Sequence, residues 1–228
     1  MYSSGWKRQL SRVVVSSANR KHLLSRCLSS SSASGFDKVG VVGLGLMGHG
    51  IAQVAASSGA HSSVLAFEPQ QEFLDKGKAR IEGSIGKLVK REKLTQDQAD
   101  QVLGNITFTT DSSMLADADF IVEAVIENID LKRDLYTDLG SKCKPETIFA
   151  SNTSSLSIGE MAAFSGRPNL FCGVHFFNPV QIMKLVEVIH TPDTDPAVLD
   201  KVKLWVDNDI KKGESRSRDS LPGDHSLG

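Results

Sequence analysis

Gly43, Gly45 and Gly48 spell GxGxxG between an apolar run, Val39-Gly40-Val41-Val42, and a periodic stretch that turns Ile51, Val54 and Ala55 to one side. A glycine string alone says little. Between a strand and a helix it reads as a phosphate-binding turn, because each glycine then has a separate task. Gly43 allows the tight turn, Gly45 lets backbone approach a pyrophosphate, and Gly48 lets helix and strand pack closely. The helix N-terminus offers unpaired N–H groups and a positive dipole end to the phosphates. Glu68 closes the next apolar run, Ser63-Val64-Leu65-Ala66-Phe67. A carboxylate there accepts bonds from both hydroxyls of an adenosine ribose and repels a 2′-phosphate, which favours NAD over NADP.

A second constellation lies far along the chain. His175 opens His175-Phe176-Phe177-Asn178-Pro179 directly after an apolar run, and Glu187 stands between Val186 and Val188 on the following one. A carboxylate flanked by valines needs a positive or hydrogen-bonding partner. Strand, turn and strand could set Glu187 against His175, fixing one imidazole tautomer and raising its basicity. On residue types alone, a lone histidine at a strand end is more often structural than catalytic.

The elements that must position these groups follow from periodicity. Strands are expected at 39–42, 63–67, 106–108, 119–124, 147–151, 170–175 and 185–189, with helices after the glycine turn, over 131–143 and over 158–164. Residues 72–93 carry a helical stripe of Phe73, Ile81, Ile85 and Leu88, and Thr95 with Gln98 forms a capping-box signature for a helix to Leu103. These two helices interrupt the alternation and are read as a hairpin projecting from the sheet. Pro196 opens a last helix with Val198, Val202 and Trp205 on one face. The expected class is α/β: a Rossmann-like, doubly wound, largely parallel sheet with that hairpin.

Composition narrows the setting. The 228 residues are 40% hydrophobic and 23% charged, with net charge −1, which gives no reason to expect nucleic acid. No run approaches the length of a membrane span. Residues 1–36 hold Lys7, Arg8, Arg12, Arg20, Lys21 and Arg26, eleven serines and no acid. Trp6, Leu10, Val13 and Val14 share one helical face. That is the composition of a mitochondrial transit peptide, although a plain disordered tail can share it. Cys27, Cys143 and Cys172 show no metal-ligand spacing and no CxxC, so no metal is expected. Residues 37–210 are expected to form the nucleotide-binding domain. Residues 211–228 retain only Leu221 and Leu227 as large apolar side chains and are expected to be disordered.

Taken in order, several strings resemble the 3-hydroxyacyl-CoA dehydrogenases. They are GLGLMGHG from Gly43 with Ile51-Ala52-Gln53, Glu123 to Asn128, Ser151 to Leu156, His175 to Pro179, and MKLVEV from Met183. The likeness runs from about Lys38 to Asp207. It implies His175 as general base, Glu187 as its orienting partner and Ser154 as the group that bonds the substrate's 3-oxygen. It also implies that Glu127, Lys132, Ser154 and Asn178 contact NAD. Ser84 and Arg91 on the hairpin would meet coenzyme A, alongside Ser154; Arg91 stands where a lysine is usual, which keeps the charge and changes the geometry.

The implied activity is oxidation of a (3S)-hydroxyacyl-CoA to the 3-oxoacyl-CoA in fatty acid β-oxidation, in the mitochondrial matrix. The family continues into a helical domain, entered by a segment much like KD(S/T)PGFIVNRL, that makes most of a homodimer. Here Arg218-Asp219-Ser220 echoes its start, but Leu221 intrudes before Pro222-Gly223 and no counterpart of its asparagine follows. The expectation is a chain without the dimer-forming domain that binds NAD and turns over poorly. Two rivals stand beside it: an NAD-binding chain without catalysis, and a dehydrogenase of a related hydroxy acid such as a sugar acid.

Overall fold

The computed structural model describes residues 32–212 and 214–219; the composition read at 1–31 and the tail at 220–228 lie outside them. Strand β1 (Lys38–Val42) leads through the glycine turn into α1 (Gly48–Ser57), β2 (Ser63–Phe67), α2 (Gln71–Lys90), α3 (Gln96–Gly104) and β3 (Ile106–Thr109). After these come β4 (Phe120–Glu123), α4 (Ile129–Lys142), β5 (Ile148–Ser151), α5 (Ile158–Phe164), β6 (Phe171–Phe176), β7 (Leu185–His190), α6 (Pro196–Leu204) and β8 (Glu214–Asp219). One sheet holds all eight strands in the order β3-β2-β1-β4-β5-β6-β7-β8. The first six are parallel, β7 runs antiparallel to β6, and β8 is parallel to β7. This is the doubly wound arrangement expected from the alternation. Its order reverses between β1 and β4, and in open sheets of this kind ligands bind outside the carboxyl ends of the strands at such a point.

Both faces of the sheet are buried, which explains why its strands read as continuous apolar runs. Val41, Val64, Ala66, Phe120 and Val122 pack under α1, α2, α3 and α6. Their neighbours Val42, Leu65, Phe67, Ile121 and Phe149 pack under α4 and α5. The hairpin divides along its length. Leu74, Ile81, Ile85 and Ala99 are buried against the core, while residues 86–94 at its tip contain no buried side chain. Thr95 and Gln98 form the expected capping box, with the Gln98 N–H 3.2 Å from Thr95 Oγ1 and the Thr95 N–H 2.9 Å from Gln98 Oε1. Helix α4 starts two residues before the expected Leu131, because the Asn128 side chain caps it by accepting from the Leu131 N–H at 2.9 Å.

Two boundaries differ from the sequence reading. Residues 32–36, ahead of the expected boundary at 37, already pack on the domain. Asp209 accepts from the Ser32 hydroxyl (2.6 Å), the Ala33 N–H (2.7 Å) and both the N–H and hydroxyl of Ser34 (3.2 and 2.5 Å). Phe36 is 2% exposed and stacks on Phe120 with ring centroids 4.7 Å apart, while Trp205 meets Phe120 edge-on at 4.9 Å. The serine-rich composition read as a leader hides these anchors, since serine serves in both settings. At the other end, Lys212 is buried with its ammonium on the Val180 and Met183 carbonyls, and β8 lies along the edge of β7, where a disordered tail was expected. Strand pairing of this kind satisfies backbone groups and needs no apolar side chains, so Glu-Ser-Arg-Ser-Arg-Asp carries no hydrophobic signal for it.

Candidate active site

The β1–α1 turn meets the three demands read from its glycines. Gly43 has φ +86°, a conformation side chains disfavour, and its N–H donates to the Phe67 carbonyl at 2.9 Å. A Cβ on Gly48 would lie 1.7 Å from the Gly43 carbonyl oxygen, so only glycine fits where helix meets strand. A Cβ on Gly45 would meet nothing within 4 Å; that backbone faces open space. Glu68 ends the neighbouring strand as expected and is 9% exposed. One carboxylate oxygen accepts from the Leu44 N–H at 3.1 Å and the other from the Gln70 N–H at 3.4 Å. It therefore shapes the turn as well as standing ready for a ribose. An open turn, a bare helix end and a carboxylate at the adjoining strand end fit a dinucleotide.

Beside the turn, at the end of β4, lies a buried ionic cluster that the sequence only half disclosed. Glu123 is fully buried, and its carboxylate accepts from the Val125 N–H (2.7 Å), the Ser151 hydroxyl (2.6 Å) and the Tyr136 hydroxyl (3.1 Å). Lys132, also 0% exposed, places its ammonium 3.0 Å from Glu123 and 3.1 Å from Glu127. Lys132, expected among the NAD contacts, is thus held behind Glu127, whose side chain is 39% exposed. Removing one partner of such a cluster strands a buried charge and costs about 3–5 kcal/mol. Burial and the Glu123 charge push the Tyr136 hydroxyl well above its usual range. Glu123, Tyr136 and Ser151 were missed as site residues. The available signal was a carboxylate ending Phe-Ile-Val-Glu, which demands a partner once buried.

From this cluster Glu127 extends to the loop after β5. Its Oε1 accepts from the Thr153 hydroxyl at 2.8 Å and the Ser154 N–H at 3.0 Å, leaving the Ser154 side chain exposed. Burial works to raise the Glu127 pKa, but those donors and the Lys132 charge outweigh it and hold the carboxyl below its ordinary range. Asn152, 9% exposed, accepts at Oδ1 from the Phe176 N–H at 2.9 Å. That bond, also unforeseen, ties the Ser154 loop to the strand end that carries His175.

His175 and Glu187 are direct partners in the β6–β7 register, and His175 Nδ1 lies 3.0 Å from Glu187 Oε2. The side chains are 20% and 24% exposed, so the pair sits in a wall of the site with an open side. The Phe177 ring packs beside the imidazole at 4.6 Å. An Nδ1–H pointed at Glu187 leaves Nε2 as the basic nitrogen. Asn178 is exposed in the turn that follows. Ser84 is half-buried on α2 and exposed Arg91 caps its C-terminal end, so both lie on the hairpin and away from the strand ends.

The family model for the 3-hydroxyacyl-CoA dehydrogenase NAD binding domain matches residues 38–214. A probable 3-hydroxybutyryl-CoA dehydrogenase of Deinococcus radiodurans is 55% identical over 152 residues, covering 67% of this chain and 54% of that protein. The human mitochondrial hydroxyacyl-coenzyme A dehydrogenase is 44% identical over 178 residues, covering 73% of this chain and 56% of its own length. Among solved structures, (S)-3-hydroxybutyryl-CoA dehydrogenase from Ralstonia eutropha superposes with a TM-score of 0.77 at 34% identity, covering 82% of this chain and 65% of that one. The chain spans little more than half the length of the two curated relatives named.

Proposed function

Because the chain belongs to the 3-hydroxyacyl-CoA dehydrogenase family, whose NAD-binding domain it contains, we propose that it oxidises (3S)-hydroxyacyl-CoA to 3-oxoacyl-CoA with His175 as base. The observation that carries this reading is the His175–Glu187 pair, 3.0 Å apart at the carboxyl edge of the sheet. Glu187 holds the Nδ1–H, so Nε2 is free to take the proton of the substrate's 3-hydroxyl. As the imidazole gains that proton, the carboxylate stabilises the resulting cation. The Ser154 hydroxyl, on the loop fixed by Glu127 and Asn152, steadies the 3-oxygen. NAD, when bound, supplies the acceptor for the hydride that leaves C3.

The glycine turn takes the pyrophosphate, and Glu68 selects the ribose without a 2′-phosphate. Glu127 and Asn178 line the nicotinamide side, and Lys132 acts there by anchoring Glu127. Ser84 and Arg91 on the hairpin receive the coenzyme A portion. The acid-free, serine-rich segment 1–36 and the likeness to mitochondrial relatives support the mitochondrial matrix as the location.

The test is a paired measurement on one preparation of the 228-residue chain: NADH affinity by fluorescence titration, and NADH oxidation with acetoacetyl-CoA. Binding together with turnover supports the proposal. Binding without turnover favours an NAD-binding chain without catalysis. Turnover of a sugar acid in preference to the thioester would reassign the substrate, and absence of NADH binding would remove the cofactor reading.

A further inference from the structure

His49 is the second residue of α1 and lies in the glycine string, yet neither the cofactor nor the proton chemistry above uses it. Its Nδ1 lies 2.7 Å from the Gly45 carbonyl oxygen. A carbonyl only accepts, so Nδ1 carries the proton, in the neutral ring and in the imidazolium alike. The bond runs forward from Gly45 into the helix, the direction in which helical carbonyls point. Across a planar trans peptide, the N–H of the next residue points the opposite way. Pinning the Gly45 carbonyl to His49 therefore turns the Leu46 N–H outward from the end of α1.

The neighbouring donors sharpen the point. The Gly43 and Leu44 N–H groups are already engaged, by the Phe67 carbonyl and the Glu68 carboxylate. Met47, at the N-cap of α1, makes no side-chain capping bond, and the first turn holds no acidic residue. Gly45 itself faces open space. What the turn still has to offer an anion is the set of N–H groups from Gly45 onward, and their aim depends on the peptide that His49 holds.

We infer that His49 is a positioning residue for the dinucleotide pyrophosphate, acting through the Gly45–Leu46 peptide plane. The inference rests on the NAD reading of the turn. A neutral hydrogen bond is typically worth enough to change affinity by about 3- to 10-fold, and His49→Ala is expected to weaken NADH by that factor without lowering the melting temperature. His49→Asn keeps an N–H at the δ position and is expected to restore most of the affinity. The loss is expected to be shared by ADP-ribose, which carries the pyrophosphate, and not by adenosine, which lacks it.

The experiment is a set of NADH fluorescence titrations on the 228-residue wild type and both variants, with ADP-ribose and adenosine as competitors and a thermal melt of each sample. Unchanged NADH affinity in His49→Ala overturns the inference and leaves the NAD reading standing. An equal loss in Ala and Asn variants, or an equal loss for adenosine, also overturns it, because the δ donor or the pyrophosphate would then not be the cause. Absence of NADH binding by the wild type overturns the NAD reading, and this inference with it.

Discussion

His175 Nδ1 stands 3.0 Å from Glu187 Oε2 because the two residues face each other where the sheet turns from parallel to antiparallel. Their contact is set by strand register, so it forms with the fold and needs no substrate to assemble it. His175→Gln is expected to lower kcat about 10²–10⁴-fold, the usual worth of general-base assistance, and to leave NADH affinity nearly unchanged. Glu187→Gln is expected to cost less, since a neutral partner still orients the ring but no longer stabilises its cation. Steady-state rates and NADH titrations on the same samples check both. A loss smaller than about tenfold for His175→Gln would return that residue to a structural role.

Two glycines of one motif are expected to fail in different ways. Gly48→Ala drives a Cβ to 1.7 Å from the Gly43 carbonyl, so backbone must move and stability should fall by about 1–3 kcal/mol or more. Gly45→Ala meets no protein atom within 4 Å and should melt like the wild type while binding NADH poorly. Urea unfolding and NADH titration on the two variants separate the effects. Normal NADH affinity in Gly45→Ala would mean the pyrophosphate does not approach there.

Glu68 combines charge with a structural bond to the Leu44 N–H. Glu68→Gln keeps an acceptor for that N–H and removes the charge, so it should narrow the preference for NADH over NADPH with little loss of NADH. Glu68→Ala should narrow it too but also weaken NADH, because the turn loses its brace. Calorimetry with both cofactors decides. Equal affinity of the wild type for NADH and NADPH would sink the selective role.

Glu127 predicts a pH effect with a defined sign. Its carboxyl is depressed in the folded chain, so the unfolded chain takes up that proton first as pH falls. The stabilisation is fully present above the ordinary glutamate range and is lost as pH drops through the depressed folded value. Stability measured by urea unfolding from pH 7 downward should decline in that acid window, and Glu127→Gln should flatten this part of the profile. An unaltered slope in the variant would place the acid sensitivity elsewhere.

Asp209 collects four donors from Ser32, Ala33 and Ser34. Asp209→Ala leaves them without their charged acceptor and is expected to destabilise the chain by about 1–3 kcal/mol. Phe36→Ala removes a core ring and should cost about 3–5 kcal/mol. A chain beginning at Lys38 is expected to melt below one beginning at Ser32; equal melting temperatures would show that the segment contributes nothing.

The strand positions and the glycine turn were legible because two-sided burial writes itself as apolar runs and a phosphate turn needs glycine at fixed places. The His175–Glu187 contact was legible too, since Glu187 among valines had to find a partner. The half-hidden part was polar and long-range. Glu123, Tyr136 and Ser151 meet across β4, α4 and β5, and nothing local announces a carboxylate that closes on a residue many positions away. Lys132 carried a functional assignment from its motif, but its burial between two carboxylates is a property of packing. At both ends the folded segment runs past the boundary read from composition for one reason: serine, arginine and aspartate can cap, pair backbones or stay solvated, and only the fold decides which.

Lys132 has one further property that follows from its seat on the buried face of α4. Its ammonium is entirely shut away and held by Glu123 and Glu127, whereas Lys87 and Lys90 on α2 stand in water. An acylating reagent meets the latter at once, but it can touch Lys132 only in the moments when α4 lifts from the sheet. The most buried cation among the described residues is therefore a chemical clock. The slow marking of that one amine counts how often the nucleotide site comes apart.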